Sequence, residues 1–192
     1  MSGARHGLRR TPAGAALPEP VPADRVEVVR FTCRDDGIVP NNPDLPVLLL
    51  RGALPPGTSP AAIMALHEAN GWRRVWHYTV FDYQHYHPDA HEVLSVASGW
   101  ADLQLGGPAG DIHRVVEGDT VVLPAGTGHC RIDARDDFAV CGAYPPGQEG
   151  RTILRGIAQE RPADVVARIA GLARPATDPI HGRTGPLLDA WA

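Results

Sequence analysis

The chain has 192 residues, of which 43% are hydrophobic and 21% charged, with a net charge of -4. That length suits one domain with a real core. The balance offers no basic excess to neutralise a phosphate backbone, and the four Trp are dispersed with no basic run between aromatics. Nucleic acid is therefore excluded as an expected partner, and no segment is apolar for long enough to cross a membrane.

Residues Met1 to Ala23 read as a poorly ordered leader, with Arg5, Arg9 and Arg10 followed by an Ala/Pro-rich stretch. The leader lacks the apolar centre of a secretory signal. The remainder, 24–192, reads as a single domain with a C-terminal helical extension. Val26 to Phe31 is β-prone and predicts the first strand. Asn41-Asn42-Pro43 marks a loop, and Val47 to Leu50 predicts a short buried strand. Ser59-Pro60 has the chemistry of an N-cap followed by Pro at the first helical position. Asn70-Gly71 is a stop signal, so a helix is expected from Pro60 to Asn70.

From Trp76 to Tyr144 strands dominate. They are expected near Trp76–His87, Glu92–Ala97, Trp100–Leu105, Ile112–Val116, Thr120–Leu123, His129–Asp133 and Phe138–Tyr144. Turn chemistry joins them, at Ser98-Gly99, Gly106-Gly107-Pro108, Glu117-Gly118-Asp119 and Pro124-Ala125-Gly126. Short strands at regular spacing predict a β-sandwich or barrel. An amphipathic stretch carrying Val165, Val166, Ile169 and Leu172 predicts a peripheral helix near 162–172. The fold class expected is all-β with minor helices, near 60–70 and 162–172, and no internal repeat suggests a second barrel.

Cys33, Cys130 and Cys141 form no disulfide framework and no paired zinc motif. A reducing, cytoplasmic setting follows. Cys130 neighbours a candidate ligand, but a small buried side chain in a strand is the simpler reading.

Two segments carry the chemistry. Residues i and i+2 on a strand point to one face, so His85 and His87 can aim both imidazoles at one point. Pro88 cannot donate to the ladder and ends that strand. Glu92 opens the next strand and can return a carboxylate to the same point. His129 follows a Pro/Gly turn and supplies a third imidazole. Three imidazoles and a carboxylate suit Fe, Mn, Ni, Cu or Zn, and suit Ca or Mg poorly.

These residues resemble the two signature motifs of the cupin superfamily, G-x5-H-x-H-x3-4-E-x6-G and G-x5-P-x-G-x2-H-x3-N. His85, His87, Glu92 and Gly99 match the first, and Gly118, Pro124, Gly126 and His129 match the second. Thr79 stands at the first Gly position and Asp133 at the Asn position. Neither departure touches a ligand. The resemblance implies a single double-stranded β-helix (jelly-roll) barrel and one divalent transition metal ion on His85, His87, Glu92 and His129. It also implies a homodimer through edge strands. A narrower resemblance, to the YjlB-type group of small bacterial cupins, rests on Asn41-Asn42-Pro43, Leu123 to His129, Gly142 to Gly147 and Gly185-Pro186-Leu187-Leu188. It covers nearly everything after Phe31 and leaves the reaction open.

Several neighbours carry alternatives. His91 adjoins Glu92 and competes with it as a ligand. Strand parity turns Tyr83 and Arg131 inward beside the ligands. An inward Arg needs an anionic partner, either a substrate carboxylate or an acidic side chain such as Asp133, unless its tip reaches solvent at the barrel mouth. Tyr83 reads as a wall residue or a proton donor. Candidates for catalysis are Tyr83, Glu92 and Arg131. His77 reads as a structural His, and His113 and His181 carry no assignment.

Three functions are compatible with this pattern. One is a metal-dependent enzyme that acts on a small organic substrate, anionic if Arg131 orients it, by dioxygenation or isomerisation. The others are a non-catalytic small-molecule binder and a metal-free, sugar-processing cupin.

Overall fold

A computed structural model describes residues 16–192, so the leader up to residue 15 lies outside the described residues. Within the stretch expected as leader, Val21 touches the fold. The Val21 amide donates to the Ala53 carbonyl at 3.0 Å, and Val21 packs against a buried apolar cluster.

The strands are β1 (Glu27–Phe31), β2 (Val47–Arg51), β3 (Arg73–Tyr78), β4 (His85–Tyr86), β5 (Glu92–Ser98), β6 (Trp100–Leu105), β7 (Asp111–Val116), β8 (Thr120–Leu123), β9 (His129–Ala134), β10 (Ala139–Tyr144) and β11 (Leu154–Arg155). The helices are α1 (Pro60–Ala69), α2 (Val165–Ala170) and α3 (Pro186–Ala190). Two antiparallel sheets form, one of six strands in the order β1-β2-β8-β5-β10-β3 and one of five in the order β11-β4-β9-β6-β7. Successive strands from β3 to β10 alternate between the sheets, except at the β6–β7 hairpin, which stays in the five-stranded sheet. That gives β3-β10-β5-β8 in one and β4-β9-β6-β7 in the other, the jelly-roll order of a double-stranded β-helix.

The six-stranded sheet is covered on both faces. Val47, Leu49, Leu94, Val96, Val121 and Val140 point between the sheets. Leu48, Leu50, Val93, Val122, Cys141 and Ala143 point outward, under α1 and the C-terminal segment. Double coverage explains why Val47 to Leu50 is a continuous apolar run rather than an alternating one. Each fully buried Leu of the pair Leu48 and Leu49 contributes about 2 kcal/mol of transfer free energy.

α1 starts as expected, with Ser59 Oγ accepting from the Ala62 amide at 3.3 Å and Pro60 in the first turn. It turns Ile63, Met64, Leu66 and His67 onto the sheet. α2 is shorter than the stretch 162–172. Its Val165 and Ile169 close over Tyr86, Val39 and Ala125, outside the five-stranded sheet.

One expected strand is corrected. Trp76–His87 is two strands, β3 and β4, in different sheets. The carbonyls of Val80 and Phe81 between them accept from the Arg131 side chain and amide instead of from a neighbouring strand of the first sheet.

Candidate metal centre

β4 and the residue after it supply two rings on one face. His85 and His87 point between the sheets, and Tyr86 between them points outward into the cluster under α2. β5 then begins at Glu92, opposite Leu123, and β9 begins at His129, opposite His85. The turn that delivers His129 is braced from two sides. Asn42 Nδ2 donates to the Ala125 carbonyl, and Asn41 Oδ1 accepts from the Gly128 amide. Gly126 has φ +87°, and its amide donates to the His87 carbonyl at 2.8 Å. A Cβ at Gly126 would fall 2.5 Å from Ile169 Cδ1 and 2.9 Å from the Asn41 carbonyl oxygen, so this turn accepts only glycine.

His85, His87, Glu92 and His129 are all at least 95% buried. The three His each place a ring nitrogen within 4.8 Å of the others. Their Nδ1 atoms are committed elsewhere, to the carbonyls of Tyr83 (3.1 Å), Thr152 (3.0 Å) and Thr127 (3.0 Å). A carbonyl can only accept, so each Nδ1 carries a proton and, in the neutral ring, each Nε2 presents a lone pair inward. Glu92 Oε1 lies 3.4 Å from His87 Nε2, and Oε2 lies 3.3 Å from His129 Nε2. Glu92 Oε2 has no hydrogen-bond partner despite that proximity. Acceptors therefore face one another in a buried space, an arrangement that a bound cation relieves.

The electrostatics agree. Burial, followed by the neighbouring His129, pushes His85 down to about 2, so this ring stays neutral. Burial opposes the charge on Glu92, yet His87 and His129 more than offset it and hold the carboxyl well below its usual range. Burial likewise opposes a proton on His87, and the Glu92 carboxylate outweighs it and raises His87. The buried Glu92 carboxylate therefore attracts a proton or a metal ion.

A cavity of about 260 Å³ opens onto these side chains. Trp76, Phe81 and Leu94 give it apolar walls, and Arg74, Glu149 and Arg151 stand among its polar lining. Tyr144 also lines it. Burial, then the adjacent Glu92 charge, raises the Tyr144 phenol, which therefore keeps its proton as a donor beside Glu92.

Other candidates are placed elsewhere. Tyr83 and Arg131 do not line this cavity. Tyr83 stacks on Phe81 and lies under the Arg155 guanidinium, and its parity with His85 is lost because β4 begins only at His85. Arg131 sits opposite Leu103 just past a register shift in the β6–β9 pair, and its Nε donates to the Val80 carbonyl at 3.1 Å. Asp133 is exposed, and its Oδ1 accepts from the Ala134 amide. His91 Nδ1 accepts from the Ala125 amide at 2.9 Å, and its ring leans on Trp191, so its lone pair is already used. His77 pairs with Cys141 on the face away from the cavity. Cys130 accepts from Gln84 Nε2, and burial raises its thiol. Tyr144, Arg74 and Arg151 went unread in the sequence. Tyr144 had a signal, since it has the same strand parity as Val140.

Over 157 residues the chain is 40% identical to YjlB of Bacillus subtilis (strain 168), an uncharacterised protein, covering 82% of this chain and 92% of that one. The chain belongs to the YjlB family of cupins. No protein-family model matches it. Among solved structures it is similar to a Klebsiella pneumoniae protein with a double-stranded β-helix domain, at 16% identity and TM-score 0.35, over 77% of this chain and 84% of that one. It is also similar to the cadmium-bound acireductone dioxygenase of Bacillus anthracis, at 18% identity and TM-score 0.33, over 45% of this chain and 58% of that one. Neither of these distant likenesses bears on the reaction of this YjlB-family chain.

Proposed function

We propose that His85, His87, Glu92 and His129 hold one divalent transition-metal ion and that the chain is an enzyme acting on a small organic molecule by dioxygenation or isomerisation. The observation that carries this is the convergence of three imidazole Nε2 atoms, whose Nδ1 atoms are tied to backbone carbonyls, and one carboxylate in a single buried space. Imidazole and carboxylate together suit Fe, Mn, Ni, Cu or Zn. Such an ion, when bound, supplies Lewis-acid or redox chemistry at a substrate oxygen.

The chain's own residues supply the rest. The backbone carbonyls of Tyr83, Thr152 and Thr127 fix the three tautomers and ring orientations. Trp76, Phe81 and Leu94 exclude water from one side of a small ligand. Tyr144 holds a proton next to Glu92, where it can donate to the carboxylate or to a ligand oxygen. At about 260 Å³ the cavity is at the small end of the roughly 300–1,000 Å³ range of ligand pockets, which suits a small substrate.

The three cysteines are all unpaired, which supports a reducing compartment such as the cytoplasm. No helix among the described residues is long and apolar enough to cross a membrane. The test is elemental analysis of the purified protein. It is followed by oxygen uptake, and by product analysis of anaerobic incubations, with a panel of small acids, thiols and diketones. A metal-loaded protein that turns over at least one panel member supports the reading. A protein that retains no metal after reconstitution contradicts it.

A further inference from the structure

We propose that Arg74 receives an anionic group, a carboxylate, on the substrate of this centre, and that Glu149 occupies Arg74 until that group arrives. The proposal deepens the reading above and rests on it for the location of the reacting end.

The backbone makes the case first. Arg74 has φ +53°, a left-handed conformation that side chains other than glycine rarely adopt. It sits in β3, where the pairing with β10 shifts register. Trp76 faces Gly142, but Tyr144 faces Arg73, so Arg74 and Val75 together oppose the single residue Ala143. This is a β-bulge, a device that re-aims a side chain, and its left-handed position is one that glycine fills without strain. Here arginine occupies it. Strain of this kind persists where the side chain has a task.

The side chain shows the task. Arg74 lines the cavity together with His85, His87, Glu92 and His129. Val75, next in the chain, is buried on the opposite face under α1, so the bulge separates a packing residue from a cavity residue. The positive charge of Arg74 is felt at the Tyr144 phenol, beside Glu92. Its ion-pair partner among the described residues is Glu149, at a loose 3.8 Å, with side chains 31% and 51% exposed. Glu149 also pairs with Arg151, which lines the same cavity. Two guanidinium groups thus share one carboxylate at the rim, leaving one positive charge uncompensated. A loose, half-exposed pair is worth little and is readily exchanged. A planar carboxylate is the group that a guanidinium grips with two parallel hydrogen bonds.

The experiment measures binding of malonate, succinate and glutarate, with succinamide as the neutral control, by titration calorimetry on the full chain. Metal content is measured on every preparation. At least one diacid should bind wild type, with succinamide at least tenfold weaker. Arg74→Gln should weaken that diacid tenfold or more. Glu149→Gln, which removes the internal competitor, should tighten it severalfold. Arg74→Gly should weaken it equally while raising the melting temperature, because glycine relieves the left-handed backbone. That opposition of signs is not produced by a merely structural arginine. Equal binding by wild type and Arg74→Gln overturns the proposal, as do weaker binding by Glu149→Gln and a wild type that binds none of the diacids. Absence of metal in all preparations counts against the metal reading alone, since the ordering of the variants still judges Arg74.

Discussion

His85 and His129 are partners across β4 and β9, with ring centroids 4.1 Å apart, and each turns its Nδ1 back to the carbonyl two residues before it in the chain. The same local hydrogen bond thus sets both rings from within their own segments. Burial, and then the nearness of the His129 ring, hold His85 neutral. Each ring, tied back through Nδ1, turns its Nε2 toward the space between the sheets.

Glu92 and His91 should separate cleanly by mutation. His91 spends its Nδ1 lone pair on the Ala125 amide, and its own amide donates to Gln148 Oε1. His91→Ala should keep most bound metal and lose about 1–3 kcal/mol of stability through the unpaired Ala125 amide. Glu92→Ala or His129→Ala should lower metal occupancy at least tenfold. Metal content and chemical denaturation of the three variants check this. The reverse ordering would give the ligand role to His91.

Chelation should destabilise the folded protein. A ligand bound only by the folded state stabilises it by about 2.7 kcal/mol at a hundredfold excess over its dissociation constant. For a chain of this size that corresponds to a melting-temperature loss of about 5–10 °C on metal removal. Thermal scans with and without chelator measure it, and re-addition of the metal should restore the loss.

Acid should destabilise the protein through His67. This ring is fully buried, with Nε2 3.1 Å from Ser95 Oγ, and Ser95 is bonded to Thr120 at 2.8 Å. Burial pushes His67 down to about 3. A folded value below the unfolded one means that the unfolded chain takes up the proton first. Stability is therefore full above about 6.5 and is lost as pH falls toward 3, with about 2 kcal/mol gone by pH 5 from this residue. His67→Gln should be less stable at neutral pH and show a shallower decline between pH 6.5 and 5. Denaturation across that range checks the slope, and an unchanged slope would refute the assignment.

Gly142 should be intolerant of any side chain. A Cβ there would fall 2.1 Å from the Trp76 ring, which lies across Gly142 on the neighbouring strand. Gly142→Ala must push Trp76 into the cavity or part β3 from β10, at a cost of about 1–3 kcal/mol. Shifted tryptophan emission together with a lowered denaturation midpoint would confirm the displacement.

Much of this architecture is legible locally. The glycine turns bound β6 and β8 at Trp100–Leu105 and Thr120–Leu123, as their patterns predict. The spacing of His85, His87, Glu92 and His129 gives the residues that the fold gathers. What stays hidden is set by tertiary contacts. Nothing between Trp76 and His87 punctuates the chain, because the break there is a change of sheet rather than a turn with glycine or proline. Arg131 has inward parity, yet its guanidinium is diverted to the Val80 carbonyl, a group that this unpunctuated break leaves free to accept. Arg74 is invisible because a left-handed arginine leaves no trace in composition or periodicity. Asn41 and Asn42 carry a loop signal in sequence, but their bracing of the His129 turn needs contacts more than 80 residues apart.

The central claim is that the gathered side chains bind metal, and elemental analysis of the full chain tests it most directly. After reconstitution and desalting, wild type should hold close to one equivalent of a single transition metal per chain, and His129→Ala should hold little. No retained metal in wild type, or equal metal in both proteins, would contradict the account.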